Sequence, residues 1–195
     1  MKIIKLSLLL FISVLVLEGC ANKKVTRIDP QEQTDLSGRW NDTDSRLVSN
    51  EMIADCIERP WRSRFTDAKG KVPTIIIGDI KNNTSEIIPI ETFIKDMEKA
   101  FINTGTVDVV QSGEFRDRIR EERDDQQTYS NEETRKEWGN EYGADFMLNG
   151  VMTSITDQEG RDKVVFYQIN LELTDLETNK KVWIGDKKIK KAIRN

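Results

Sequence analysis

The sequence predicts an α+β domain, a mixed β-sheet flanked by about four helices, on three observations. Residues 72–80, VPTIIIGDI, are a dense β-branched run bounded by Lys-Gly before and Asn-Asn after, the pattern of a buried central strand. Residues 47–57 and 90–103 each carry apolar side chains at helical spacing. From residue 144 onward the pattern changes to alternation in three segments, ADFMLNGVMTSITD, VVFYQINLELTD and KVWIGDKKIK, parted by the turn signals QEGRDK and LETN. The chain therefore ends in a three-stranded antiparallel meander, and the predicted order is helix, strand, helix, strand, two helices, three strands.

In chain order, residues 21–38 are polar with one proline and no periodicity, which reads as a tether. If flexible, it spans on the order of 20–25 Å, and about 60 Å fully extended. The globular domain is expected over residues 39–195. Its first helix carries the stripe Leu47, Val48, Met52, Ile53, Cys56, Ile57, with Thr43 or Asp44 as the expected cap. Pro60 interrupts it, and RPWRSRF predicts a short further turn of helix. A helix over residues 90–103 presents Ile90, Phe93, Ile94, Met97, Ala100 and Phe101 and closes at Gly105. Residues 107–110 form a short strand, and Ser112 opens a charged helix that must mostly face water. Ser130 and Glu133 have capping-box spacing and predict another helix ending at Gly143.

Inventory restricts the chemistry. The chain has 2 cysteines and no histidine, which excludes Ser-His-Asp, Cys-His, His-zinc and CxxC centres. No cofactor and no metal are expected, and no Walker loop or dinucleotide fingerprint is present. Cys56 falls on an apolar stripe as a buried small hydrophobe. Asp79, at the end of the central strand, is the best single carboxylate for a hydrolase, but no sequence spacing places a second carboxylate beside it. The charged runs at residues 116–125 and 132–137 read as solvated helix surface.

Residues 1–19 show the charge-then-apolar layout of an export signal, Lys2 and Lys5 preceding an apolar run over residues 6–17. That run is about a dozen residues, short of the roughly 20 a spanning helix needs. It ends Leu17, Glu18, Gly19, Cys20, which resembles a bacterial lipobox, with Glu18 where a small or apolar residue is usual. Cys20 is thus the expected lipidation site, and dual or triple acylation suffices for stable anchoring. Ala21 is not the Asp that a resemblance to enterobacterial lipoproteins associates with inner-membrane retention, so that resemblance implies the outer membrane, facing the periplasm. The formal net charge is −4, about −5 once Lys2, Lys5 and Glu18 leave with the leader, which argues against nucleic acid.

Five segments, GRWNDTDSRLVS, CIERPW, PTIIIGDIKNNTSEIIPIETFIKDMEKAFINTGTVDVV, YGADFMLNG and YQINLELTDLETNKKVWIGDKKIKK, together resemble the LpoB family of outer-membrane lipoproteins over residues 38–191. The resemblance implies a fold like the TolB N-terminal domain and a non-enzymatic partner protein, a monomer that docks on a class A penicillin-binding protein and stimulates its peptidoglycan synthesis. Family members in the best-known bacteria use a long tether to reach that synthase, whereas this tether is short. Buried aromatics and arginines anchor such interfaces, so Arg39, Trp40, Arg62 and Arg64 are the candidate contact residues by type. The alternative is a structural or secretion lipoprotein related to the curli channel CsgG, which shares the TolB-like core and predicts a ring-shaped oligomer.

Overall fold

The computed structural model describes residues 25–194. The chain divides into two units, Met1–Glu32 and Gln33–Asn195. In the first, described residues 25–32 are exposed and form neither helix nor strand. Cys20 and the leader lie outside the described residues.

The second unit begins with helix α1, Asp42–Glu58. Its cap is Asn41 rather than Thr43 or Asp44. The Asn41 side chain accepts the Asp44 N–H at 3.0 Å and the Asp44 carboxylate accepts the Asn41 N–H at 3.0 Å, a reciprocal capping box. Asp44 is therefore the third helical residue, a position that also favours its charge near the positive end of the helix dipole. Arg59, held extended because Pro60 follows, ends α1. Helix α2, Trp61–Lys69, is longer than the single turn expected. It stops at Gly70 with φ 67°, and α3, Ile90–Thr104, stops at Gly105 with φ 61°; both are left-handed caps that lack of a Cβ makes inexpensive.

Strand β1 covers Thr74–Asn83, later than the predicted 72–80, because Pro73 has no N–H to offer the ladder. Strand β2, Asp108–Val110, follows α3, and helix α4, Gly113–Tyr129, follows β2. The predicted helix over residues 130–143 does not form. Ser130 instead ends α4, its N–H donating to the Gln126 carbonyl. Residues 131–143 carry only Trp138 and Tyr142 as large apolar groups, both exposed, so a helix there has no face to bury.

The meander is present as β3, Phe146–Glu159, β4, Asp162–Asp175, and β5, Lys181–Ile193. The sheet order is β2-β1-β3-β4-β5, with β1 parallel to β2 and β3 and the last three strands antiparallel. This is the mixed sheet with four helices that the sequence predicts.

One sheet face holds the core. Val48, Met52, Ile53 and Cys56 of α1 and Phe93, Met97 and Phe101 of α3 pack on Ile75, Ile77, Phe146, Leu148, Met152, Tyr167, Ile169, Leu171 and Leu173. Each such side chain contributes roughly 1.5–3 kcal/mol on burial. The Tyr167 hydroxyl donates to Glu86 Oε1 at 2.7 Å, and the Trp40 N–H donates to Glu86 Oε2 at 3.1 Å, so one carboxylate ties the 84–89 loop to the sheet and to the entry of α1. Burial, then the Glu86 contact, pushes the Tyr167 hydroxyl well above the usual phenol range.

Candidate docking surface

The sheet's other face carries none of the core cluster. Strand alternation and register place Val151, Thr153 and Ile155 of β3, Val164, Phe166, Gln168, Asn170 and Glu172 of β4, and Ile184, Asp186, Lys188 and Lys190 of β5 on it. Ile155 is 67% exposed and Ile184 63%, while Phe166, Val164 and Val151 are half-buried. An apolar set, Ile155 opposite Phe166 with Val164 beyond, thus sits next to Lys190, which pairs with Phe166 on the β5 side. Ion pairs lie farther along the same face, toward the start of β5: Lys188 to Asp186 at 3.3 Å and then Lys181 to Glu172 at 2.5 Å.

A shallow hollow of about 350 Å³ opens on this face where β1 carries an extra residue between Ile77 and Ile80. The bulge turns the Asp79 N–H toward Asn149, whose Oδ1 accepts it at 3.1 Å. Gly78 makes room, since a Cβ there would lie 2.3 Å from Asn149 Oδ1. Asp79, Lys81, Asn149, Asn170 and Glu172 line the hollow. Asp79 and Glu172, on strands separated by β3, thus line one hollow, a placement that no sequence spacing revealed because the two lie far apart in the chain. With two amides and a lysine they make a polar, hydrogen-bonding centre for an otherwise partly apolar face.

The sequence-nominated contact residues fall in two places. Arg39 is exposed and its carbonyl accepts from Lys191 Nζ at 3.1 Å. Trp40 packs edge-on against Tyr167 at 5.6 Å and Phe93 at 6.3 Å, so most of its ring is used by the core. Arg62 is half-buried with Nε directed at the Ile57 carbonyl at 3.4 Å, and Arg64 is exposed. Arg39 and Trp40 precede α1 whereas Arg62 and Arg64 follow it, and 17 residues of helix separate the pairs by about 25 Å. They do not form one site. Trp61 belongs to the core: its Nε1 donates to the Cys56 carbonyl at 2.7 Å and its ring meets Phe146 at 5.0 Å. Cys56 is buried, and burial pushes its thiol far above the usual range. Among the described residues no three metal-ligating side chains cluster, and no helix is long and apolar enough to cross a membrane.

A model of the family described as peptidoglycan-synthase activator LpoB matches residues 44–189. Curated protein sequences contain no match. Similar solved structures include the lipoprotein GNA1162 from Neisseria meningitidis, 14% identical over 63% of this chain and 85% of that chain, TM-score 0.40. The LpoB C-terminal domain from Salmonella enterica is 13% identical over 78% of this chain and 99% of that chain, TM-score 0.38. LpoB from Escherichia coli, solved by NMR, is 12% identical over 91% of this chain and 87% of that chain, TM-score 0.40.

Proposed function

Because the chain belongs to the LpoB family of peptidoglycan-synthase activators, we propose that it is a non-enzymatic, monomeric lipoprotein that binds a class A penicillin-binding protein and raises its activity. The observation that carries this reading is the family match over residues 44–189, which takes in α2, α3, α4 and β1 to β4 whole. Cys20, once acylated, holds the protein in the outer membrane facing the periplasm. The tether that matters for reach is residues 21–32, since Asp35 is already bonded to Lys191 in the compact unit. Twelve extended residues span about 40 Å. The synthase must then present its docking surface within that distance of the outer membrane, plus the width of the folded unit that carries the docking face.

The open face of β3, β4 and β5 is the docking surface in this proposal, with Phe166 as its aromatic anchor and the Asp79 hollow as its polar complement. Activation requires that the face bind the synthase's active conformation more tightly than its resting one, and about 1.4 kcal/mol of difference shifts that equilibrium tenfold. The test is glycan-strand polymerisation by the host's class A synthase with and without residues 21–195. Stimulation that Phe166→Asp weakens by on the order of 30-fold in binding is expected for an anchor worth about 2 kcal/mol. No stimulation and no binding refutes the function. Stimulation lost in Arg39→Ala or Arg64→Ala but intact in Phe166→Asp moves the docking surface to the α1 or α2 end instead.

A further inference from the structure

Among the described residues, the two most exposed large apolar side chains are Ile87 at 103% and Leu36 at 93%. They are far apart in sequence, yet the fold brings their segments to one end. The Trp40 N–H bond to Glu86 ties the segment that follows Leu36 to the loop that carries Ile87. Asp35, beside Leu36, accepts from Lys191 Nζ at 2.7 Å and from Asn41 Nδ2 at 2.8 Å. β1 ends at Asn83 and β5 at Ile193, and the two run in the same direction, so this is the end of the sheet where both finish. It is also where the chain enters the folded unit, at Gln33.

The loop that presents Ile87 is braced. Asn82 Oδ1 accepts the Thr84 N–H at 3.0 Å, Asn82 Nδ2 donates to the Glu86 carbonyl at 2.9 Å, and the Ser85 N–H donates to Ser154 Oγ at 3.2 Å. Ile88, the next residue, is buried. Ile87 is therefore held in place while its side chain stands in water, and covering it costs little further ordering. The β3–β4 hairpin tip at the same end carries Asp157, Glu159 and Asp162 against Arg161 and Lys163, so it adds no basic surface.

Residues 21–32 separate Cys20 from the folded unit and span about 40 Å at full extension. A folded unit of this length is itself roughly 40 Å across. A lipid on Cys20 thus keeps the unit within about one diameter of the bilayer, attached by the end that bears Leu36 and Ile87. We propose that this end rests on the bilayer when no partner is bound, with Ile87 and Leu36 entering its interfacial layer. The occupant is the lipid surface of the protein's own membrane, met through its apolar boundary rather than its charge. Even a single myristoyl chain binds a membrane only marginally, so two side chains hold no free protein there, and the tether supplies what is missing by raising the local concentration. The contact uses strand ends and a loop, so it leaves the open face of β3, β4 and β5 uncovered. The inference rests on the lipid at Cys20 in the reading above, and on no synthase.

The experiment couples the mature chain, residues 20–195, through the Cys20 thiol to a maleimide-headgroup lipid in phosphatidylcholine nanodiscs. That sets the anchor whether or not the cell acylates Cys20, and Cys56, being buried, does not compete. A nitroxide-headgroup lipid in the disc then relaxes nearby methyl signals. Ile184 and Leu176 are exposed references at the other end of the sheet, Ile184 being about 30 Å from Ile193 along β5. Because the effect falls as the sixth power of distance, relaxation at Ile87 and Leu36 is expected to exceed that at the references roughly tenfold or more. The double variant Ile87→Glu, Leu36→Glu measures the gradient that the tether alone produces; both side chains are exposed, so the fold is kept, and the gradient is expected to fall about fivefold or more. Salt at about 0.5 M leaves the parent's gradient unchanged. Equal gradients in parent and double variant, stronger relaxation at the reference end, or a gradient that salt abolishes overturns the proposal. So does a concentration-dependent dimer of residues 21–195 in sedimentation that Ile87→Glu abolishes, because the occupant is then a second copy. The mass of the mature N-terminus tests acylation separately, so failure of the anchor and failure of the resting pose are told apart.

Discussion

Lys191→Met tests the junction between the tether and the domain. Lys191 Nζ contacts Asp35 Oδ1 at 2.7 Å, Asp44 Oδ2 at 2.5 Å and the Arg39 carbonyl at 3.1 Å. Its side chain is only 11% exposed and that of Asp44 8%, whereas Asp35 is 38% exposed. Methionine keeps most of the apolar stem, so the loss is chiefly the cation, and Asp44 is left charged and buried. Removing one partner of a buried pair costs about 3–5 kcal/mol, and the exposure of Asp35 trims the total to roughly 2–4 kcal/mol. For a unit of this size that lowers Tm by roughly 5–15 °C. The Asp35 carboxyl is held down to about 2 from its usual 3.8, first by the Lys191 hydrogen bond and then by Gln33 and Asn41. A depressed folded value means that this contribution is full above about pH 4 and is lost as pH falls toward 2. With its solvent exposure it amounts to about 1 kcal/mol at most. Urea unfolding at pH 7 and across the acid range measures both. A loss under about 0.5 kcal/mol, or an acid limb as steep in Lys191→Met as in the parent, refutes the assignment of the junction to this knot.

Gly78→Ala brings a Cβ within 2.3 Å of Asn149 Oδ1 and 3.2 Å of Met147, so chemical denaturation is expected to show a loss of about 1–3 kcal/mol, partly recovered by Asn149→Ala. Cys56 resists alkylation in the native protein and reacts at the rate of unfolding, since it is buried and burial holds its thiol protonated at neutral pH; rapid labelling under native conditions contradicts this. The Glu141 carboxylate, held down to about 2 from 4.5 by Arg120 and then Arg123, ties residues 131–143 to α4. Trp138 fluorescence should therefore report an acid transition as pH falls below about 4.5 toward 2, which Glu141→Gln removes.

Local pattern made the meander and the central strand legible, since each has one periodicity and one buried face. The stripe of α1 and the face of α3 were legible for the same reason. The segment over residues 131–143 was not, because Ser130–Glu133 has capping-box spacing wherever it occurs, and only the absence of a surface to pack on decides against the helix. The Asn41 cap was missed because Asn41, Thr43 and Asp44 are all cap-competent, and the choice rests on which side chain meets which N–H.

By itself, then, the sequence determined the class of fold, the succession of strands along the chain, the exclusion of histidine and paired-cysteine chemistry, and an expected lipid address at Cys20. Those follow from inventory and from periods of 2 and 3.6 residues, which are local. Only the tertiary structure decided that Trp40 serves the core, that the four nominated residues stand at opposite ends of α1, and that Glu172 and Asp79 line one hollow. Each of these depends on which strands become neighbours, and that is set by long-range packing of one sheet face against α1 and α3.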